Sequence, residues 1–179
     1  MRRDSDTGSP GARTVPPVPA RMDDPAWRPS PKARVLWAVN AALLWIPIVA
    51  AQIVWAIVDA GHGPWHLAAA VATVALAATH IGIVPVWRYR VHRWEISDSA
   101  VYTRSGWFTQ ERRIAPISRI QTVDTERGPI DRWLGLATVT VTTASSAGAV
   151  EITALDVAVA DATAARLTEI AGRNGVDAT

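Results

Sequence analysis

Two long apolar stretches, separated by a short polar link, dominate the pattern of this chain. The first covers residues 35–58 and the second residues 67–87, and neither contains Asp, Glu, Lys or Arg. At a rise of about 1.5 Å per residue, a helix over the first stretch would be about 36 Å long, enough to cross a bilayer with tilt. The pattern therefore predicts two transmembrane helices joined by an extracytoplasmic link at residues 59–66. The weaker alternative is a buried core helix in a soluble protein.

The flanking charges predict the orientation of this hairpin. The link carries neither Lys nor Arg, whereas basic residues stand before the first stretch and after the second. Under the positive-inside rule, both termini are expected in the cytoplasm, with the protein in the cell membrane. Tryptophans near the ends of both stretches agree, because their amphipathic rings favour membrane interfaces. The flanking basic residues are Arg21, Arg28, Lys32, Arg34, Arg88, Arg90 and Arg93.

Polar residues inside the stretches predict contacts between the two helices. Asn40 and His80 lie at similar depth on the inner side, and Gln52 and Thr73 on the outer side. Each pair is expected to share a hydrogen bond that contributes about 0.6–2 kcal/mol. His80 could also act as a proton relay, but the stretches hold no second titratable residue, so a structural role is favoured. Trp45 is interpreted as apolar packing.

Residues 1–34 are predicted to form a disordered cytoplasmic tail. Prolines recur there among Ser, Gly, Asp and Arg. Such a composition buries too little apolar surface to offset the entropy of ordering the chain. A secretory signal is not expected, because the first apolar stretch begins too late and runs too long.

After residue 87 the pattern changes to short alternating runs, which predict a β-rich cytoplasmic domain over residues 88–172. The domain is expected to end in a helix over residues 158–171, capped by Asp156 and stopped at Gly172. Residues 173–179 would form a flexible C-terminus. Strands followed by one helix imply an α+β domain, with a single helical turn predicted at residues 130–134. The strand-like runs are residues 91–97, 101–104, 107–114, 118–125, 138–143 and 150–153.

The segment from Arg119 to Val139 carries a resemblance to a known family. It contains an Arg-Ile-Gln start, then Gly128-Pro129 with an apolar residue, an Arg, two bulky apolar residues and Gly-Leu-Ala. Together with the two preceding stretches, it resembles the membrane-anchored bacterial pleckstrin-homology-like proteins of the YdbS type over residues 34–172. The resemblance implies a transmembrane hairpin followed by a bent, partly open β-barrel that the C-terminal helix caps. It implies no enzyme.

One departure from relatives of this fold bears on ligand recognition. Eukaryotic relatives often bind phosphoinositides through basic residues in the first hairpin loop. Here that loop would be residues 97–100, which contain Asp98 and no base. Recognition of inositol lipids by that route is therefore not expected.

The sequence contains no catalytic or cofactor-binding pattern. Cys is absent, and the four histidines lack metal-ligand spacing with a second ligand. No nucleophile elbow, phosphate loop or dinucleotide fingerprint is found. The net charge of +2, without a dense Lys/Arg run, gives no support for nucleic-acid binding. We therefore expect a non-enzymatic protein without cofactor or metal.

Three functions remain open at this point. The favoured one is an adaptor whose domain docks another membrane protein, which could itself carry related domains, at a free sheet edge or in the groove beside the helix. The others are a module that senses anionic lipid and a subunit of a transport complex, which two helices could build only as an oligomer. Arg127 and Arg132 are candidates for the partner surface. Candidates for headgroup contact, or simply for setting topology, are Arg88, Arg90, Arg93, Arg112 and Arg113.

Overall fold

The computed structural model describes residues 24–106, 108–144 and 148–176. Two long helices come first, then two groups of strands with a short helix between them, and a final helix. Residues 1–23 of the predicted tail, the predicted strand position Trp107 and the last three residues lie outside this description. The elements are α1 Ala33–Val58, α2 Gly63–Val91, β1 Arg93–Ile96, β2 Ala100–Ser105, β3 Glu111–Pro116, β4 Ile120–Glu126, α3 Pro129–Leu134, β5 Leu136–Thr143, β6 Val150–Asp156 and α4 Val157–Val176, with 3₁₀ turns at Ala60–His62 and Ile117–Arg119.

Helices α1 and α2 are long and apolar enough to cross a membrane, and most of their side chains are exposed in the isolated chain. The link between them is shorter than expected, because α2 begins at Gly63 with Pro64 in its first turn, where proline is well tolerated. Helix α2 also continues past residue 87 to Val91. Arg88 and Arg90 end the apolar stretch without ending the helix, since arginine is a good helix former.

Polar contacts between the two helices fix their register. The Gln52 side-chain amide donates to Thr73 Oγ1 at 2.5 Å, which confirms that predicted pair. His80 does not bond to Asn40 as predicted: the Trp45 indole N–H donates to His80 Nδ1 at 3.2 Å. Asn40 and His80 do line one recess between the helices, but the His80 ring is bonded to the Trp45 indole instead of the Asn40 amide. Trp45 is thus a hydrogen-bond donor rather than packing alone.

The strands form two three-stranded antiparallel sheets, ordered β1-β2-β3 and β4-β5-β6. Six strands and a final helix confirm the α+β class. Strands β2 and β3 lie against β6, and α4 packs against β4 and β5. Both sheets and α4 contribute to one core. Its fully buried members include Val101, Ile117, Val139, Ile152, Leu155 and Leu167.

Residues 24–32, called here the N-terminal strap, are ordered against the domain, which corrects the prediction of disorder for this part of the tail. Trp27 and Trp94 exchange two backbone hydrogen bonds at 3.0 and 2.9 Å, which adds a bridge to the outer edge of β1. The Ser30 N–H donates to the Ala154 carbonyl at 2.9 Å. Proline does not prevent such pairing, because the bonding residues are not themselves prolines.

The strap leads directly into a second apolar cluster. The first turns of α1 contribute Ala33, Leu36 and Trp37, which pack with Leu136 and Ala154 of the sheet. We call these five residues the helix foot. All five are buried. The β-rich domain is therefore not confined to residues 88–172, because its packing includes the start of α1.

The end of the chain also differs from the prediction. Helix α4 runs through Gly172 to Val176, so this glycine does not stop it and the helix extends into residues 173–179. Asp156 ends β6, and its carboxylate lies 3.2 Å from Lys32 Nζ of the strap. Both partners are well exposed, so this ion pair contributes little to stability.

The bond between Gln52 and Thr73 gives a first prediction. Gln52→Leu is expected to lower the free energy of unfolding by about 0.6–2 kcal/mol, since the Thr73 hydroxyl loses its partner inside the hairpin. Thermal unfolding of the purified protein in detergent, in a double-mutant cycle with Thr73→Val, measures the coupling. Asn40→Leu is the matched control and should leave the midpoint unchanged, because no hydrogen bond of the Asn40 side chain is found among the described residues. Purely additive effects of the two substitutions would contradict this contact.

Candidate functional site

A groove runs beside helix α4 on the side of the N-terminal strap. It encloses about 690 Å³. Trp27, Trp94 and Ile96 form one wall, and α4 forms the other with small side chains that include Ala158 and Ala162. We call this the α4 groove. The strap is necessary for it, because without Trp27 one wall would be missing.

The walls of the α4 groove are apolar and its rim is basic. The Trp27 and Trp94 rings meet edge to face, with centroids 4.8 Å apart at 64°. The Trp94 indole N–H donates to the Arg28 carbonyl at 3.3 Å, which fixes its ring. Arg28 and Arg166 stand on the rim, and Arg166 lies 4.0 Å from Asp98 at the exposed β1–β2 turn. A groove of this kind suits an extended or helical segment with apolar anchors and an acidic flank.

A second concave site, the polar cleft, lies between the inner end of α2 and the two sheets. Its volume is about 450 Å³. Arg88 reaches it from α2, with its guanidinium 4.4 Å from the centroid of the Trp37 ring. The remaining lining is mostly polar and comes from β2, β3 and β6 with their connections: Thr103, Ser105, Gly106, Glu111, Arg113, Ala149, Glu151 and Thr153, together with His92.

His92 is the buried titratable group of the polar cleft, with 7% of its surface exposed. Burial and, to a smaller extent, the positive charge of Arg88 lower its pKa from 6.5 to about 4, although a hydrogen bond to the Arg88 carbonyl opposes both effects. Nδ1 lies 3.1 Å from that carbonyl, which can only accept, so Nδ1 carries the hydrogen. The neutral ring leaves Nε2 as an acceptor.

Some charged side chains of the polar cleft are paired with other groups that line it. Arg113 contacts Glu111 at 2.7 Å and donates to the Ala149 carbonyl at 2.9 Å. The Thr153 hydroxyl is buried with no hydrogen-bond partner among the described residues. Donors and acceptors thus line one recess, which fits a small polar or ionic group better than an apolar one. In the same described ranges, no three His, Asp or Glu side chains are grouped so as to hold a metal ion.

The five arginines predicted as headgroup or topology contacts do not form one patch. Arg88 and Arg113 line the polar cleft. Arg93 donates to the Ala26 carbonyl at 3.5 Å, and Arg112 lies 3.2 Å from Asp24, so both contact the strap. Arg90 is exposed at the end of α2.

Arg127 and Arg132, predicted to form a partner surface, are held by backbone contacts. Arg127 Nε donates to the Leu136 carbonyl at 3.2 Å, and Arg132 Nε donates to the Arg127 carbonyl at 3.3 Å. These bonds close the turn around α3, where Gly135 adopts a φ of 69° that favours glycine. Both arginines therefore shape this turn, in addition to any role at the surface.

The model of the bacterial PH domain family matches residues 33–171. The chain belongs to the bacterial PH domain family. It is also similar to the transmembrane protein YdbS of Bacillus subtilis (strain 168), with 33% identity over 87 residues that cover 48% of this chain and 55% of that protein. The match thus spans about half the length of this relative. No solved structure matches the chain. With two candidate spans inside the matched region, this bacterial PH domain protein is a membrane protein.

Sequence reasoning missed the contribution of the strap to the bacterial PH domain. Asp24 lies 2.5 Å from Arg104 and 3.2 Å from Arg112. The hydrogen bond from Arg104 holds the pKa of the Asp24 carboxyl below its usual value, although its own desolvation opposes this. A tryptophan within a Pro-rich tail was the available signal, because a large apolar ring rarely stays in water. The polar cleft had no such signal, since its residues come from separate strands.

Burial of His92 predicts acid sensitivity of the bacterial PH domain. The unfolded chain binds a proton near pH 6.5, but the folded protein only near pH 4. Stability should therefore be complete above about pH 6.5 and fall progressively toward pH 4, by up to about 3 kcal/mol. Apparent unfolding midpoints in detergent between pH 7 and pH 4.5 measure this loss.

The matched controls for this measurement are two substitutions. His92→Gln should flatten the pH dependence in that window, whereas Thr103→Val, which removes a buried hydroxyl that does not titrate from the same cleft, should preserve it. The Asp24 carboxyl does not contribute to the change in this window, because its pKa is lowered from 3.8 in the folded protein: its stabilisation is present above the unfolded pKa and is lost only as the pH falls below it. An unchanged pH dependence in His92→Gln would exclude His92 as the cause.

Proposed function

We propose that this protein is a non-enzymatic integral membrane protein whose bacterial PH domain is a protein-interaction or assembly module at the inner face of the cell membrane. Both termini lie in the cytoplasm in this proposal, which rests on the excess of basic residues at the inner ends of α1 and α2. The observation that carries it is the α4 groove, an apolar recess with a basic rim on the cytoplasmic domain.

The chemistry of the α4 groove favours a peptide segment as its occupant. Trp27 and Trp94 offer large rigid surfaces of the type that anchors interfaces, and alanines on α4 leave room for side chains of a partner. Arg28 and Arg166 would attract acidic residues beside those anchors. A segment of a second membrane protein, including one with related domains, is the favoured partner because the helix foot keeps the groove near the bilayer.

The two sheets support a finer assignment of the fold. We propose that they are the halves of a bent, PH-like barrel capped by α4. In support, both sheets share one core, and Arg113 of β3 donates to the Ala149 carbonyl just before β6, so the sheets meet along this corner. The opposite side of the core is covered by α4.

Filling the α4 groove should abolish partner binding. A photoreactive amino acid at Val159, an exposed position in the groove, is expected to give one discrete crosslinked product in intact native cells. Ala162→Trp places a bulky ring in the groove and should reduce the product at least about tenfold, as expected when an interface anchor loses its pocket. Thr168→Trp adds the same ring to an exposed position of α4 outside the groove and should preserve it.

Equal unfolding midpoints for both tryptophan variants establish that the fold is intact. A product that persists in Ala162→Trp, or is lost equally in Thr168→Trp, would contradict docking in the groove. Mass spectrometry of the product after mild detergent extraction then identifies the partner. A partner recovered in near-stoichiometric amount supports assembly.

Recognition of anionic lipid is the second candidate function, and the position of Arg88 favours it. This cation lies at the inner end of α2 and faces the polar cleft, within reach of headgroup phosphates. Native mass spectrometry of the purified full chain should then detect retained anionic lipid, with loss on Arg88→Gln and retention on Arg90→Gln. Equal retention in both variants would exclude the cleft as the lipid site.

A further inference from the structure

Two aromatic side chains of the cytoplasmic domain are strongly exposed: Phe108 at 88% and Trp133 at 77% of their surface. They lie far apart in sequence, on the β2–β3 connection and on α3. Exposed aromatic rings of this size commonly mark an interaction site, because they leave a large apolar area in water. The positions of Phe108 and Trp133 relative to α1 and α2 indicate what these two rings contact.

Helix α3 places Trp133 beside the start of α1. Ile130 and Leu134 of the same helix pack on the helix foot, whose α1 residues open the first span. At the end of α3, a Cβ on Gly135 would lie 3.7 Å from Lys32 Nζ, one residue before α1 begins. Trp133 is therefore at the level where α1 enters the membrane.

The strand register places Phe108 beside the end of α2. Strand β1 begins at Arg93, directly after α2 ends, and leads away from the helices. Strand β2 returns antiparallel, with Arg104 opposite Arg93, and Arg104 Nε donates to the Val91 carbonyl at 3.1 Å. The connection that follows Ser105 thus extends beyond the start of β1 toward the end of α2, and it carries Phe108.

Cations and aromatic rings already share this level. The Arg34 guanidinium lies 5.1 Å from the Tyr89 ring centroid, and Arg88 lies over Trp37. Such pairs are characteristic of the headgroup region, where amphipathic rings and basic side chains are both favoured. Trp133 on α3 and Phe108 after β2 thus lie on separate elements, of which one adjoins the start of α1 and the other the end of α2.

We propose that Trp133 and Phe108 are membrane anchors, which insert into the headgroup region of the bilayer that α1 and α2 cross. The bilayer is the occupant because these rings continue the surface that the two spans already present to lipid. With the helix foot, the two rings give the domain three attachments, which fix its tilt against the membrane. The proposal depends on the membrane position of the helices, and it is independent of any partner in the α4 groove.

The absence of cysteine permits a direct test on the full chain. Single-cysteine variants carry a nitroxide label in vesicles of phosphatidylethanolamine and phosphatidylglycerol, and power saturation compares access of oxygen with access of a water-soluble nickel chelate. Labels at Trp133→Cys and Phe108→Cys should give depths between those of two references. The references are Leu44→Cys within α1 and Asp98→Cys at the β1–β2 turn, away from the helices.

A second measurement keeps the native ring in place. Brominated lipids quench tryptophan fluorescence at contact, so Trp133→Phe should reduce the quenchable fraction relative to wild type. Trp27→Phe is the matched control, because Trp27 is also partly exposed but lies in the α4 groove; it should leave that fraction unchanged or raise it. The proposal is overturned if the label at position 133 has the aqueous access found at position 98. It is equally overturned if that label is shielded from both reagents, or if the two Trp→Phe variants lose quenching alike.

Discussion

The packing of α1 against the β-rich domain is the contact on which the rest of this structure depends. The first turns of a candidate membrane helix bury Leu36 and Trp37 against Leu136 and Ala154 and so remove them from water. Burial of side chains of this size contributes about 1.5–3 kcal/mol each. Because this helix is held by the bilayer at the same time, the domain is attached to the membrane by packing rather than by a flexible linker. Helix α2 adds a second, direct connection through Val91 and β1.

Both concave sites follow from this seating. The polar cleft exists because Arg88 and His92, at the end of α2, are brought under the sheets, where Trp37 of α1 packs against the His92 ring and the Arg88 guanidinium. The α4 groove exists because the chain that precedes α1 must pass along β1, which places Trp27 beside Trp94. The polar cleft thus opens beside the end of α2 and the α4 groove beside α4, and the two sites share no lining residue.

Much of the fold could be predicted from local pattern. Lipid-crossing helices need uninterrupted apolar residues and strands need β-branched runs, so α1, α2 and strand β5 were evident. The ends of the helices were harder to predict. Hydropathy indicates where the apolar residues stop, but the helical hydrogen bonding of α2 continues through Arg88 and Arg90. The candidate site was harder still. Asp24 pairs with Arg112, which is 88 residues away in sequence, and the polar cleft is lined by residues of three strands. No local sequence pattern could therefore predict this ion pair or this cleft. The order of the N-terminal strap could not be predicted from its Pro-rich composition, because Trp27 and Ser30 still form backbone hydrogen bonds with the sheets.

The bridge between Trp27 and Trp94 has a consequence for the solubility of the domain. An unpaired strand edge is a template for another chain, and proteins protect such edges by covering them. Here the cover of β1 comes from residues that precede the family region at 33–171. A polypeptide shortened to residues 33–171 would keep all six strands of the described residues. The outer edge of β1 would then be unpaired, and the Trp94 indole would lose its contact with Trp27. The N-terminal strap thus covers an edge that residues 33–171 by themselves would leave open.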